Sequence, residues 1–191
     1  ASVDKQITIN VDGTNDLPVI SGVHAGGISE GSTQELTGTL VQTDSDTHDT
    51  HSWSVDSGHP AQYGVFTIDQ SGQWHYRLDN TDPAVNTLAH GQQLTETFSV
   101  KVADNHGGET TQQVTVAING TNAAPVIGGA FSGNAIEDKV TTVSDKLSVT
   151  DTDAIDTHTF GVDNPQGTFG RLSVDSATGQ WTYHLNHAKT D

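Results

Sequence analysis

One acidic loop holds the residues best suited to bind a metal ion. Asp44, Asp46 and Asp49 alternate with small polar residues and His48, and the loop contains no Lys or Arg. Calcium takes about six to eight oxygen ligands from carboxylates, Asn side chains and backbone carbonyls. An Asp-x-Asp pair in an extended loop can point both carboxylates at one ion, whereas Asp residues that only cap turns stay solvated. The pattern favours calcium.

The acidic loop recurs 107 residues later, where 151–156 repeat the pattern of 44–49. The linker 13–16 matches 120–123 at the same offset. A period of this length exceeds the ~20–50 residues of a solenoid unit and corresponds to one small domain. The recurrence therefore indicates a tandem array of domains, and it strengthens the calcium interpretation.

The repeat divides the chain into three parts. We expect residues 1–16 to be the last strand and linker of a preceding repeat, 17–122 to be a complete repeat, and 123–191 to be a second repeat, truncated before its last two strands. The first assignment depends on apolar residues that match the last strand of the complete repeat. Ile7, Ile9 and Val11 match Val114, Val116 and Ile118.

Strands must position the acidic loops, because apolar and polar residues alternate along many segments. This period-two pattern is typical of strands with one buried face. Turns at 69–72 and 175–179 run from Asp to Gly and join neighbouring strands. About seven short strands per repeat indicate an all-β fold of tandem Greek-key β-sandwiches, of the immunoglobulin-like type. The predicted strands of the complete repeat are about 17–24, 34–43, 50–56, 62–69, 73–80, 94–103 and 109–119.

Composition excludes several classes of function. The chain has 24 Asp and Glu against 7 Lys and Arg, for a formal charge of −17, so its surface would repel nucleic acid. The absence of Cys excludes a disulfide framework, Cys-ligated zinc and thiol catalysis. No apolar run approaches the ~20 residues that a membrane-spanning helix needs, so we expect no membrane insertion.

Three other patterns have both a functional and a structural interpretation. His48 and His51 beside Asp residues could bind zinc, but only His51 recurs, as His158, and a polar residue at a strand edge is the simpler interpretation. Residues 27–31 match Gly-x-Ser-x-Gly, but no helix is predicted after them, so hydrolase chemistry is disfavoured. Tryptophans could stack on sugars, but their alternation in phase with other apolar residues favours core packing of Trp53, Trp74 and Trp181.

Three motifs together carry a family resemblance over essentially the whole chain. They are Asn-Gly-Thr-Asn-Asp-x-Pro-Val (combined from the two linkers), Asp-x-Asp-x-x-Asp-x-His, and Phe-Gly-x-Leu-x-Val-Asp-x-x-Thr-Gly-x-Trp-Thr-Tyr-x-Leu. In these motifs the chain resembles the VCBS repeat, a cadherin-like module of very large bacterial surface adhesins, including RTX-type adhesins exported by type I secretion. The resemblance implies a string of β-sandwiches that is stiffened by calcium.

The resemblance also implies a set of calcium ligands at the first junction. Cadherin-like junctions typically use a linker Asn-Asp, an Asp-x-Asp of the following domain, and a late Asp ahead of Gly in that domain. The matching residues are Asn15, Asp16, Asp44, Asp46 and Asp104.

The second junction departs from the family pattern. Ala123 stands where Asp16 stands, and the second repeat has no counterpart of Asp104. We therefore expect this junction to bind fewer ions or to bind them more weakly. Its matching residues are Asn122, Asp151 and Asp153. Glu30 resembles the early Glu that reaches toward the next junction, and Glu137 is its copy.

The leading functional hypothesis is a non-enzymatic, calcium-stiffened extender and adhesion module of a large secreted bacterial adhesin. It would act at the bacterial cell surface in cell adhesion and biofilm formation. Its expected partners are neighbouring repeats of the same chain, with a glycan or host-cell ligand as a further candidate. The alternatives are a calcium-dependent lectin-like domain that binds surface polysaccharide and a non-catalytic spacer in a secreted enzyme.

Overall fold

The computed structural model describes residues 1, 3–56, 58, 60–153 and 155–186. Over these ranges the chain forms twelve named strands and one helix of four residues, which confirms the all-β fold class. Two compact units are present. The first comprises 1–85 and 93–119, and the second comprises 86–92 and 120–191.

The first unit contains two four-stranded sheets. One sheet has the order β1-β3-β6-β5 and is antiparallel throughout. The other has the order β2-β8-β7-β4, in which β2 is parallel to β8 and the remaining pairs are antiparallel. The bounds are β1 Val19–Gly22, β2 Ala25–Ser29, β3 Leu36–Thr43, β4 His51–Val55, β5 Gly64–Ile68, β6 Gln73–Leu78, β7 Gln93–Asp104 and β8 Glu109–Asn119.

The core of the first unit lies between the inner faces of these two sheets. Alternate residues of β6, β7 and β8 are fully buried, as the period-two pattern predicts. Phe66 of β5 stacks on Phe98 of β7 with ring centroids 4.3 Å apart, so the sheets pack face to face. Trp53 and Trp74 are also buried, which confirms that they pack in the core.

The strand predicted over 17–24 forms over Val19–Gly22 as β1, but β2 (Ala25–Ser29) was not predicted. The chain leaves β1 at Gly22, which has a positive φ of 106°, and enters β2 in the opposite sheet. Only glycine fits here, because a Cβ at Gly22 would lie 2.4 Å from the carbonyl oxygen of Thr39. The first unit therefore has eight strands, and the apolar pattern continues across the break between two of them.

A single turn of helix, α1 (Pro83–Asn86), was not predicted. Pro83 occupies the first helical position, where a missing N–H is tolerated. Asp82 precedes it and accepts a hydrogen bond of 2.8 Å from the amide of Ala84. The segment is too short for the 3.6-residue period to be recognised in the sequence.

The second unit contains one antiparallel sheet with the order β11-β12-β10-β9. It repeats the β1-β3-β6-β5 sheet, at an offset of 107 residues for three strands and of 106 residues for the strand that matches β5. Residues 132–136 and 158–162 align with β2 and β4 but form no strand, because the described part of this unit contains no counterpart of β7 or β8 for them to pair with. The bounds are β9 Val126–Gly129, β10 Thr142–Thr150, β11 Gly170–Val174 and β12 Gln180–Leu185.

Candidate metal centre

Strand ends gather the acidic residues at one end of the first unit. Asp44 follows β3 directly, and Asp104 is the last residue of β7. His51 begins β4 and pairs with Asp104 in the sheet. The predicted acidic loop, 44–49, connects β3 to β4, so both its ends are fixed by strands of opposite sheets.

Three carboxylates converge at this end of the unit. One oxygen each of Asp44, Asp49 and Asp104 lies within 4.8 Å of the other two. The side chains of Asp44 and Asp49 are only 3% and 5% exposed. Within the described part of the chain, no group donates a hydrogen bond to the buried Asp49 Oδ2. A buried carboxylate oxygen without a partner is unfavourable unless a cation satisfies it.

Backbone hydrogen bonds close the acidic loop. The amide of Asp46 donates to Asp44 Oδ1 at 3.1 Å, and the amide of Asp49 donates to the carbonyl of Asp46 at 3.1 Å. These bonds turn Asp49 back toward Asp44. Asp46 lies outside the group of three carboxylates, and its Oδ2 accepts a 2.7 Å hydrogen bond from the amide of Asp16. Asp46 thus fastens the linker to the loop.

Asp104 is held in place from both sides. Its Oδ1 accepts hydrogen bonds of 2.8 Å from the amides of His106 and Gly108, and its Oδ2 accepts one of 2.9 Å from Asn15 Nδ2. The bond from Asn15 is the main cause that lowers the pKa of Asp104 below its usual value. A Cβ at Gly108 would lie 2.2 Å from Asp104 Oδ2, so a larger residue there would displace this carboxylate.

Two histidines lie beside the carboxylates. His51 Nε2 is 3.0 Å from Asp44 Oδ2, and this hydrogen bond is the main cause that lowers the pKa of Asp44. His106 Nδ1 is 2.9 Å from Asp49 Oδ1. The recurrence of His51 as His158 thus reflects an Asp–His pair, because only His51 begins a strand. His48 contacts the Thr47 hydroxyl instead, at 3.4 Å.

The second unit has a related group of three carboxylates, in which Asp153, the counterpart of Asp46, joins the counterparts of Asp44 and Asp49. Oxygens of Asp151, Asp153 and Asp156 lie within 4.8 Å of one another. Asp153 is buried, and its Oδ1 has no hydrogen-bond donor among the described residues. Its Oδ2 accepts a 2.7 Å bond from the amide of Ala123, as Asp46 does from Asp16. Ala123, which stands where the first linker has Asp16, can make this bond because the donor is the backbone amide. His158 Nε2 lies 3.1 Å from Asp151 Oδ2.

A family model for bacterial cadherin-like domains matches residues 15–120, more than half of the chain. The chain belongs to the bacterial cadherin-like domain family. Cadherin-like domains are extracellular adhesion modules, typically without catalytic activity, that contact neighbouring domains and generally bind calcium. The match begins at Asn15 and ends directly after β8, so it contains the whole first acidic cluster.

Solved structures show the same fold. The extracellular domain of protocadherin gammaB4 superimposes with a TM-score of 0.53 at 17% identity, over 94% of this chain and 29% of that one. Cadherin domains 1–4 of protocadherin gammaB7 give 0.52 at 16% identity, over 89% and 41%. The bacterial cadherin-like chain thus spans well under half the length of these relatives. No curated protein sequence matches it significantly. In the described ranges, no helix is long and apolar enough to cross a membrane.

Six predicted site residues lie outside the two carboxylate groups. Two of them, Asn15 and Asp46, are bonded beside the first group as described above. Glu30 follows β2, and its amide donates a 2.8 Å bond to the carbonyl of Asn119, at the far end of β8. An eleven-residue strand separates that end from the Asp104 end by roughly 34 Å, so Glu30 cannot join the first cluster. The other three, all exposed, are Asp16, Asn122 and Glu137.

Asp49 and Asp156 are the site residues that the predicted ligand set lacked. The signal was present in the sequence, because both recur at the 107-residue offset and each lies five residues after the first Asp of its loop. The cadherin-like pattern supplied only the Asp-x-Asp pair, so the third Asp of the loop was left out. Loop closure, which brings it against the first Asp, is not visible in the spacing.

Proposed function

We propose that this chain is a calcium-stiffened extender and adhesion module of a large secreted bacterial adhesin. The observation that carries the proposal is the convergence of Asp44, Asp49 and Asp104 around a buried carboxylate oxygen without a donor. The VCBS-type motifs support an RTX-type adhesin exported by type I secretion, with a role in cell adhesion and biofilm formation.

The residues of the cluster fit calcium better than zinc. Its grouped ligand atoms are all carboxylate oxygens, which hard cations such as calcium prefer, and its histidines each pair with a single carboxylate. The lowered pKa values of Asp44 and Asp104 keep both groups charged at neutral pH. Like charges at this separation repel each other, so a divalent cation would stabilise the folded end of the unit.

Stiffening would follow from how the linker is attached. Asn15 is hydrogen-bonded to Asp104, a member of the cluster, and Asp16 is hydrogen-bonded to Asp46 in the acidic loop. A cation that fixes the acidic loop and the end of β7 would thereby also fix the linker that precedes β1. The second unit holds Ala123 in the same way through Asp153. Calcium would thus restrict the linker of each repeat, and it is plentiful outside the cell.

The lectin-like alternative loses its aromatic candidates. Trp53, Trp74 and Trp181 are all buried, so none offers a face on which a sugar ring could stack. A calcium-bridged glycan would need the same acidic cluster and would not change the first step to be tested, which is calcium binding.

Small-angle X-ray scattering of the full chain tests the stiffening. Calcium should increase the maximum particle dimension and narrow the distribution of conformations, relative to the same protein in chelator. Asp44→Ala with Asp46→Ala should abolish this response. Asp4→Ala with Asp12→Ala, which removes two exposed carboxylates from the N-terminal segment, is the matched control and should retain it. Identical scattering with and without calcium would contradict the proposal.

A further inference from the structure

The outer face of the β2-β8-β7-β4 sheet is almost neutral, although the chain has a formal charge of −17. Along β7 and β8 the residues on this face alternate with buried ones, and most of them are Thr, Ser, Gln, Asn or Ala. Lys101 and Glu109 are the charged residues among them. Because Lys101 Nζ lies 2.9 Å from Glu109 Oε1, their charges offset each other. This face therefore presents mainly hydroxyl and amide groups to solvent.

A depression of about 390 Å³ lies on this face, where β4 pairs with β7. Ser54 of β4 is opposite Lys101, and Lys101 is opposite Thr111, so these three residues form a row across the strands. Asp56 lies just beyond β4, and its amide donates a 2.9 Å bond to the carbonyl of Ser99 in the next row. The short side chains of Ser54 and Ser99 lie between the longer ones, which leaves the depression. Among the described residues, Val55 completes its lining.

The groups that line the depression fit a ligand with several hydroxyls. Ser54, Ser99 and Thr111 each supply a hydroxyl that can both donate and accept a hydrogen bond. Lys101 can only donate, and the Asp56 carboxylate can only accept. The hydroxyls of a sugar ring can bond to all three kinds of group. The volume lies within the ~300–1,000 Å³ typical of small-molecule sites.

Charge disfavours an ionic ligand. The Lys101 ammonium is already paired with Glu109, and an anion would also meet the Asp56 carboxylate and the negative field of the chain. A cation would find a single carboxylate in the lining, and that group already accepts a 3.0 Å bond from the amide of Gly58. A neutral ligand avoids both costs.

We propose that this depression binds a neutral sugar residue of a surface glycan. Lys101 and the three hydroxyls donate to sugar oxygens, and Asp56 accepts from sugar hydroxyls. The site uses neither calcium nor an aromatic ring, which distinguishes it from the lectin-like alternative. The inference rests on the adhesive role proposed above, for which it names the class of ligand. Because the site has no aromatic platform, one sugar residue should bind with a dissociation constant in the millimolar range.

A nuclear magnetic resonance titration of the full chain, labelled with nitrogen-15, tests the ligand class. The probes are the methyl glycosides of glucose, galactose, mannose and N-acetylglucosamine, with the methyl glycoside of glucuronic acid as the charged comparison. At least one neutral glycoside should shift the amide signals of Ser54, Ser99 and Thr111, and the glucuronide should bind several-fold more weakly. No shift of these signals with any neutral probe, or equal or tighter binding of the glucuronide, would overturn the proposal.

Three variants test the location of the site. Ser99→Val removes a hydroxyl from the depression and should weaken binding by about two- to tenfold, whereas Lys101→Met removes the ammonium and should weaken it at least about tenfold. Thr97→Val removes a hydroxyl two residues away on the same face of β7, outside the lining, and should bind like the parent. Unchanged binding by both pocket variants, or equal weakening in Thr97→Val, would overturn the location.

The same titration in chelator separates this inference from the calcium proposal. Sugar binding should persist without calcium, and its loss in chelator would overturn the assignment of a calcium-independent site. Sugar binding by a chain whose scattering does not respond to calcium would contradict only the stiffening. A chain that stiffens in calcium but binds no neutral glycoside would overturn only the sugar site.

Discussion

Asp49→Asn is the substitution that most selectively disrupts the proposed calcium site. It keeps the size of the side chain and removes the charge of a carboxylate with an unpartnered buried oxygen. In calcium the variant should melt at a lower temperature than the parent. In chelator the difference should disappear or reverse, because the repulsion with Asp44 and Asp104 is gone.

The size of the calcium effect follows from mass action. Extracellular calcium modules have dissociation constants of about 10⁻⁴–10⁻³ M, so about 10 mM calcium stabilises such a site by about 1.4–2.7 kcal/mol. A unit of about 100 residues unfolds with an entropy of about 0.2 kcal/mol/K. Calcium should therefore raise the melting temperature of the first unit of the parent by about 7–13 °C, and that of Asp49→Asn by a small fraction of this.

Tryptophan fluorescence can isolate the first unit. In a Trp181→Phe background the two remaining tryptophans, Trp53 and Trp74, are both buried in that unit. Asp56→Asn is the matched control. It removes one charge directly after β4, at the opposite end of that strand from His51, and should leave the calcium shift intact. If Asp49→Asn retains the full shift, or if Asp56→Asn loses as much of it, the assignment of the site is refuted.

Three further outcomes are expected. Tyr76→Phe should lower the free energy of unfolding by about 1.5–3 kcal/mol in urea titrations, because the Tyr76 hydroxyl donates to the buried carboxylate of Glu96. Asp69→Asn should weaken the dependence of stability on pH in the acid range, because the hydroxyl of Ser71 is the main cause that lowers the pKa of Asp69 in the parent. The stability that the Asp69 carboxylate contributes is complete above the usual pKa of 3.8 and is lost as the pH falls through the lower folded-state pKa. The second unit should gain less protection from calcium than the first in hydrogen exchange, because the described part of that unit contains no counterpart of Asp104.

The sandwich was predictable because alternation and turn chemistry are local. The Asp69 turn forms as predicted, with its carboxylate accepting bonds from the hydroxyl and amide of Ser71 and with Gly72 at a positive φ of 80°. Pairing between strands is not local. Residues 158–162 align with a strand of the first unit but form none, since their partner strand is absent from the described part of the second unit. A strand pattern therefore needs a partner before it becomes a strand.

The candidate site was predictable in part, because the spacing of its Asp residues is also a local property of the sequence. Spacing and recurrence marked Asp44 as a ligand, the resemblance to cadherin-like junctions marked Asp104, and both lie in the carboxylate group. Asp46 was expected beside them, but its side chain is bonded to the linker instead. The position of Asp49 depends on a backbone turn that its sequence neighbours do not specify. Which carboxylates converge is decided by how the loop closes between two strands.

The most direct test is a crystal structure of the full chain grown in millimolar calcium, with the anomalous signal of the bound ion recorded. The proposal predicts an ion among Asp44, Asp49 and Asp104, at about 2.3–2.6 Å from a carboxylate oxygen of each. Its density should be lost in crystals of Asp49→Asn. A parent structure with only water between these carboxylates in millimolar calcium would contradict the central claim.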